Sequence, residues 1–421
     1  MVKRISCLLI ASVWASIALH AQVKTGIEVL RDSGFEALRG KRVGLVTNPT
    51  GVDRTLKSTI DILYESSEVE LVALFGPEHG VRGDAPAGAV IDGEAVDSKT
   101  GVPIHSLYGS LKAPTREMLK GLDAIVYDIQ DIGCRSYTYI STMGNVMKVA
   151  AETGLEMVVL DRPNPLGGEK IEGCGVQPSL VSFVSKFDIP YVYGLTCGEL
   201  ALLLNGEGMI GKSADGHPLK CRLTVIPMEG WTREMSFTQT GLPWVPSSPH
   251  IPSVGSACLY PATGIVGELG VCSIGVGYTL PFQMMAGKGI DAVKLAETLN
   301  SQDFPGITFR PIYATPYYGG YKGIIIGGVQ IYITDFRAAR ISEIQFRVLE
   351  AIHKLYPSLP LIGSVAEKSL QMFDKVTGNT QIRQKFSERY RFSDISELWY
   401  SGCDAFRTLS QKYYLYGESY F

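Results

Sequence analysis

The sequence lacks the short motifs that mark several common chemistries. No GxGxxG turn follows the first apolar strand, so a dinucleotide fingerprint is missing. No GxSxG elbow appears, which disfavours a serine hydrolase of the α/β type. HExxH and regular His/Asp spacings are absent, and with only six histidines in 421 residues no resident metal or other cofactor is expected. There is no CxxC pair, and the seven cysteines after residue 21 (134, 174, 197, 221, 258, 272 and 403) are odd in number. They read as small buried hydrophobes and not as a disulfide framework. Net charge is also scarce: a formal −3 gives no electrostatic reason to expect nucleic acid. Internal repeats and low-complexity tails are missing too.

What is present begins with Lys3 and Arg4 ahead of the apolar run "ISCLLIASVWASIALHA", which ends in small residues before Gln22. This is the pattern of a secretory signal peptide over residues 1–21, with cleavage after Ala21 or Ala18. No other stretch is long and apolar enough to span a bilayer. The expectation is a periplasmic or secreted protein with no stable membrane insertion after cleavage. A composition of 45% hydrophobic and 19% charged residues is that of a globular chain, and 421 residues suggest two domains.

The first half alternates. "RVGLVT", "VELVALF", "PIHSLY", "AIVYDI" and "EMVVLD" are near-continuous apolar strands. Between them "TLKSTIDILYES", "TREMLKGL" and "YISTMGNVMKVAAETG" carry helical spacing. Strands apolar on both faces and separated by helices predict a parallel sheet covered on both sides, a Rossmann-like doubly wound α/β fold. The pattern changes at the proline- and serine-rich "GLPWVPSSPHIPS" (241–253), which divides a catalytic domain at 22–248 from a smaller α/β domain of mixed strand pairing at 249–421. The second domain would close over the first. Its "TGIVGELGVCSIGVGYTLPFQ" is glycine-rich, and a packed hairpin is one reading of it.

Ligands of such sheets bind beyond the carboxyl ends of the strands. Those ends carry Asn48, Glu78–His79, Tyr108, Asp128–Gln130–Asp131 and Asp161–Arg162–Asn164. Glu78 and His79 lie in "LFGPEHGVRGDAPAG", where a carboxyl held partly out of water can donate a proton to a departing oxygen. "YDIQDIGCRSYTY" offers Asp128, Gln130, Asp131, Arg135 and Tyr137 for sugar hydroxyls or an acidic group, or equally a salt-bridged loop. Arg162 and Asn164 form a second such loop, in which Arg162 either pairs with a substrate carboxylate or with a neighbouring acid. Across the divide, His250, Tyr278 and Glu268 are candidates, the last as the second carboxyl of a pair. A cysteine nucleophile, Cys134 or Cys197 with His79, stays open.

Five ordered motifs carry a resemblance. "GLVTNPTGVDR", "LFGPEHGVRGDAPAG", "YDIQDIGCRSYTYISTM", "LDRPNPLGG" and "PHIPSVGSACLYPATGIVGE" together resemble the exo-β-N-acetylmuramidases of glycoside hydrolase family 171, formerly a domain of unknown function. The resemblance runs from about residue 26 to the C-terminus. It implies removal of N-acetylmuramic acid from the non-reducing end of peptidoglycan fragments, in a cleft between a Rossmann-like and a smaller domain. Muramyl saccharides would then be the partners. Glu78 is carried over as the catalytic acid with His79 beside it, and Asp128 or Glu268 is expected as base or orienting group. Arg82, Arg135 and Arg162 are expected to meet the lactyl carboxylate, with Asn48, Gln130, Asp131, Tyr137, Asn164, His250 and Tyr278 completing the binding set. The competing classes are a non-catalytic muropeptide-binding protein and a wall-peptide amidase or esterase.

Overall fold

The computed structural model describes residues 22–78, 80–83 and 95–417. The signal-peptide expectation over 1–21 and the candidate His79 therefore lie outside the described residues. The chain enters through helix α1 (Gly26–Asp32) and strand β1 (Arg42–Thr47), then α2 (Thr59–Tyr64) and β2 (Glu70–Gly76). Next come β3 (Ala95–Val96), β4 (Pro103–Ser106), β5 (Ala124–Asp128), α3 (Tyr139–Thr153), β6 (Glu156–Leu160), α4 (Cys197–Gly206) and β7 (Arg222–Ile226).

These strands form one seven-stranded sheet in the order β3-β4-β2-β1-β5-β6-β7. All pairs are parallel except the antiparallel edge pair β3–β4. The apolar runs explain this: β5 is buried at every position and β1 at all but its first, as strands roofed on both faces must be. Because β1 lies between β2 and β5, the chain reverses its direction of winding there, which opens a crevice above the carboxyl ends of those three strands. The helix expected at "TREMLKGL" does not form; residues 116–121 make successive turns, and the segment is too short to nucleate a helix without a packed face.

The second half runs α5 (Val254–Gly267), β8 (Met284–Gly287), α6 (Ala292–Asn300), β9 (Ile307–Ala314), β10 (Ile326–Ile333) and α7 (Ile344–Leu355). It ends in α8 (Glu367–Thr377), α9 (Thr380–Arg389), α10 (Ser396–Trp399) and α11 (Cys403–Ser410). Its sheet has the order β8-β10-β9 with both pairs antiparallel, which corrects the expectation of mixed pairing. The crossover through α6 does join two strands of like direction, but β10 lies between them and pairs with each. The "GIVGE" stretch is the end of helix α5, not a hairpin. Ser253 caps that helix by accepting from Ser256 N, and Pro261 sits inside it.

One apolar cluster contains Ile132, Cys134, Leu166 and Tyr191 from loops of the first half together with side chains of α5, α7, α8 and α9. The two halves thus share buried surface, which sets their relative position. The C-terminus returns to the first sheet: Tyr416 packs with Val23, Met228 and Trp231. All seven described cysteines are free, and all but Cys258 are buried. Among the described residues no helix is long and apolar enough to cross a membrane.

Candidate active site

At the end of β2 the chain turns sharply: Gly80 N donates to Pro77 O at 3.1 Å, and Gly80 takes a φ of 75°. That conformation suits glycine because a side chain there would be strained. The turn presents Glu78, half-buried and hydrogen-bonded with the Tyr108 hydroxyl. Burial, the Glu78 charge and a hydrogen bond to it hold the Tyr108 hydroxyl above its usual pKa. The Tyr139 hydroxyl is raised chiefly by burial, and the Glu78 charge adds to it.

Tyr139 extends the site toward the segment joining the two halves. Its hydroxyl donates to Ser247 O at 2.6 Å, and Tyr137 shares a 2.6 Å hydrogen bond with Ser247 Oγ. The Tyr137 ring packs edge-on against Tyr139 and Tyr260, with centroids 5.1 and 5.7 Å apart. Ser136 Oγ lies 3.1 Å from the Tyr260 hydroxyl and 3.3 Å from that of Tyr191. The "SYTY" run after β5 therefore builds a phenolic wall that reaches α5. Tyr139 and Tyr260 were absent from the candidates; the repeated tyrosines of that motif were the available signal for the first. On the β1 side Asn48 is buried, and its Oδ1 accepts from Thr50 N at 2.9 Å and from Thr50 Oγ1 at 2.5 Å.

The carboxylates and arginines of the neighbouring rim are committed elsewhere. Asp128 has no exposed surface; Arg162 Nε and Nη2 grip it at 2.5 and 2.9 Å, and Thr59 Oγ1 donates at 2.5 Å. Both its oxygens are occupied, so it has none left to activate water. Arg162 also donates to Val52 O at 2.9 Å. Arg82 is part-exposed and bonds Asp97 through two nitrogens and Asp61 Oδ1 at 2.9 Å. Arg135 is fully buried and donates to four carbonyls, those of Cys174, Ile189, Val376 and Thr377, at 2.5–3.0 Å. The last two are final-turn carbonyls of α8, so its charge meets the negative end of that helix. Arg135, enclosed and bonded to carbonyls of this chain, is thereby corrected as a receiver of a lactyl carboxylate, while Arg82 and Arg162 each hold an acid of this chain.

The remaining candidates divide. Gln130 donates to the carbonyls of Asp131 and Pro163, and Asn164 bridges Leu195 O and Leu166 N; both are buried braces of the loops and not ligands. Asp131 differs. Its Oδ2 accepts from Gly133 N at 2.7 Å and from the Tyr193 hydroxyl, while its buried Oδ1 has no partner among the described residues. Burial pushes its pKa up to about 6. Glu268 lies at the C-terminal end of α5 with much of its residue open to solvent, yet desolvation by nearby chain raises its carboxyl pKa, and its charge is felt at Tyr260. His250 Nε2 is 2.9 Å from the Tyr318 hydroxyl, and Tyr278 stacks on Tyr317 at 5.8 Å.

The cysteine alternative loses its chemistry. Burial pushes the Cys134 thiol up to about 12 and the Cys197 thiol well above its normal value, so neither forms a thiolate near neutrality. Among the described residues no cluster of three His, Cys, Asp or Glu is arranged to hold a metal ion.

Comparison with known proteins agrees in both halves. The family models for the N-terminal and C-terminal parts of exo-β-N-acetylmuramidase NamZ match residues 43–255 and 258–416. The peptidoglycan β-N-acetylmuramidase NamZ of Bacillus subtilis (strain 168) is 44% identical over 399 residues, covering 95% of this chain and 92% of that protein. Two crystal structures of DUF1343 family proteins from Bacteroides fragilis NCTC 9343 superpose along its length. One is 55% identical with a TM-score of 0.88, the other 28% identical with a TM-score of 0.70; each alignment covers 94% of this chain and 99% of the other. With both halves matched in order and nearly the whole length covered, the chain belongs to the NamZ family of exo-β-N-acetylmuramidases.

Proposed function

We propose that the protein is a secreted, exo-acting β-N-acetylmuramidase that releases N-acetylmuramic acid from the non-reducing end of peptidoglycan fragments. As a member of this family it is a glycoside hydrolase. The observation that carries the site assignment is the position of Glu78: half-buried, at the carboxyl end of β2 beside the winding reversal, hydrogen-bonded with Tyr108 and with its charge felt at Tyr139. Export rests on the basic and apolar pattern of residues 1–21.

In this reading Glu78 is the acid that gives a proton to the glycosidic oxygen as the bond from that oxygen to C1 breaks. Water completes the product, its oxygen bonding to C1 and one of its protons restoring the acid. Asp128 is unsuited to the second role because Arg162 and Thr59 occupy it. Asp131, itself enclosed, takes an orienting role only through the tyrosines: its charge reaches the hydroxyls of Tyr137, Tyr139 and Tyr260. The phenolic wall gives the sugar ring an apolar face with hydroxyls at its edge.

The test is to incubate the protein with two disaccharides that differ only in which sugar is terminal. Free N-acetylmuramic acid from the muramyl-terminated one, with none from the N-acetylglucosaminyl-terminated one, is the expected result. Cleavage of neither, or release of peptide in place of sugar, would contradict the reading.

A further inference from the structure

The loop between β9 and β10 carries a group of tyrosines that the fold does not bury. Tyr317 is 65% exposed and Tyr318 50% exposed, although both follow a strand whose inner face is well packed. Isolated exposed aromatics need no explanation, but a fixed cluster of them does. This cluster is fixed. Tyr317 N donates to Gly277 O at 2.7 Å, and Gly323 N closes the loop on Pro316 O at 2.9 Å. Gly277, at a φ of 92°, lies so close that a Cβ there would sit 2.3 Å from Tyr318 O. The Tyr317 ring then stacks on Tyr278 at 5.8 Å and an interplanar angle of 23°.

The cluster is also wired to the active site. The Tyr318 hydroxyl and His250 Nε2 are 2.9 Å apart, with their rings stacked at 25°. His250 N donates to Ser248 Oγ, and the adjacent Ser247 holds the hydroxyls of Tyr137 and Tyr139, the latter beside Glu78. A continuous path thus runs from the proton donor, through the segment joining the two halves, to an open aromatic face on the second half.

We infer that Tyr317 and Tyr318 form the binding face for the leaving-group side of the glycan, stacking on the sugars that follow the cleaved bond. The inference rests on the exo-acting reading. In an exo site the terminal sugar is enclosed and only the rest of the chain leads outward, and the exposed rings joined to the site by the His250 path offer it a surface. Tyrosine suits this task, since its flat apolar face covers the C–H side of a pyranose while its hydroxyl stays hydrated. A rigid backbone beneath the rings lowers the ordering cost of binding.

The test is calorimetric titration of the intact protein with a peptidoglycan tetrasaccharide bearing N-acetylglucosamine at its non-reducing end. An exo-muramidase cannot cleave this probe, and it resembles the departing chain. Tyr317→Ala and Tyr318→Ala are expected to weaken binding about tenfold each, while Tyr318→Phe keeps most of the affinity. Circular dichroism of each variant separates this effect from loss of folding. Unchanged affinity in folded alanine variants overturns the inference. So does a shift from dimer to monomer on substitution, which would make the face a contact between copies. Because the readout needs no turnover, failure of the hydrolysis assay leaves it independently decidable.

Discussion

The rim of the large sheet has two ends that look alike in sequence and differ in chemistry. Above β5 and β6 the polar side chains are saturated. Asp128 is gripped by Arg162 and Thr59, and Asp161 accepts from Thr196, Cys197, Gly198, Tyr416 and the Arg162 amide. Above β2 the carboxyl of Glu78 leans on phenols and meets no cation among the described residues, with part of its surface open. Buried charges must be paired inside the protein, whereas a group that works on a ligand has to keep capacity in reserve. The difference lies in the partners, not in residue type or position along a strand.

Breaking the saturated end should cost stability and not chemistry. Asp128→Asn leaves Arg162 buried without its counter-charge, and the expected loss is about 3–5 kcal/mol in denaturant unfolding. Turnover per folded molecule should change little. If stability held while turnover collapsed, Asp128 would belong to the reaction after all.

Asp131 sharpens the comparison, because it lies at the saturated end with one oxygen unspent. Its pKa is raised to about 6 in the folded protein against about 3.9 when unfolded. The folded state therefore holds the proton more tightly, and this contribution is complete below the unfolded value and lost as pH rises through about 6. Comparing unfolding of the wild type and Asp131→Asn from pH 4 to 7 should show the wild type losing about 2 kcal/mol relative to the variant. A constant difference across that range would mean that Asp131 titrates normally.

The smallest effect concerns the returning C-terminus. Tyr416 donates to Asp161 at 2.6 Å and accepts from Met228 N at 2.9 Å. Tyr416→Phe should cost about 1–2 kcal/mol by thermal unfolding. No measurable change would show that the tail does not brace β6.

Much of the first half was legible because apolar runs and their periods are local signals: each of the five strands read from the sequence there forms. The edge strand β3, two residues long, gave no such signal. Helix α5 was hidden by Pro261 and three glycines, residues that argue against a helix until packing against α7 and the Gln345 side chain on Pro261 O are known. At the site, the strand-end rule found the right rim and the right carboxyl neighbourhood. It could not tell Arg135 from a ligand-binding arginine, because its four carbonyl partners come from residues 174 to 377. Tyr318 was invisible for a similar reason: its partner His250 is 68 residues away.

The most direct measurement is turnover of a muramyl-terminated disaccharide by Glu78→Gln, with its unfolding curve recorded alongside. The substitution keeps the side chain's shape and removes the transferable proton. A loss of about 10²–10⁴-fold in kcat with an unaltered unfolding midpoint is the expected result. Near-normal kcat in the folded variant would place the proton donor elsewhere and contradict the distinction drawn between the two ends of the rim.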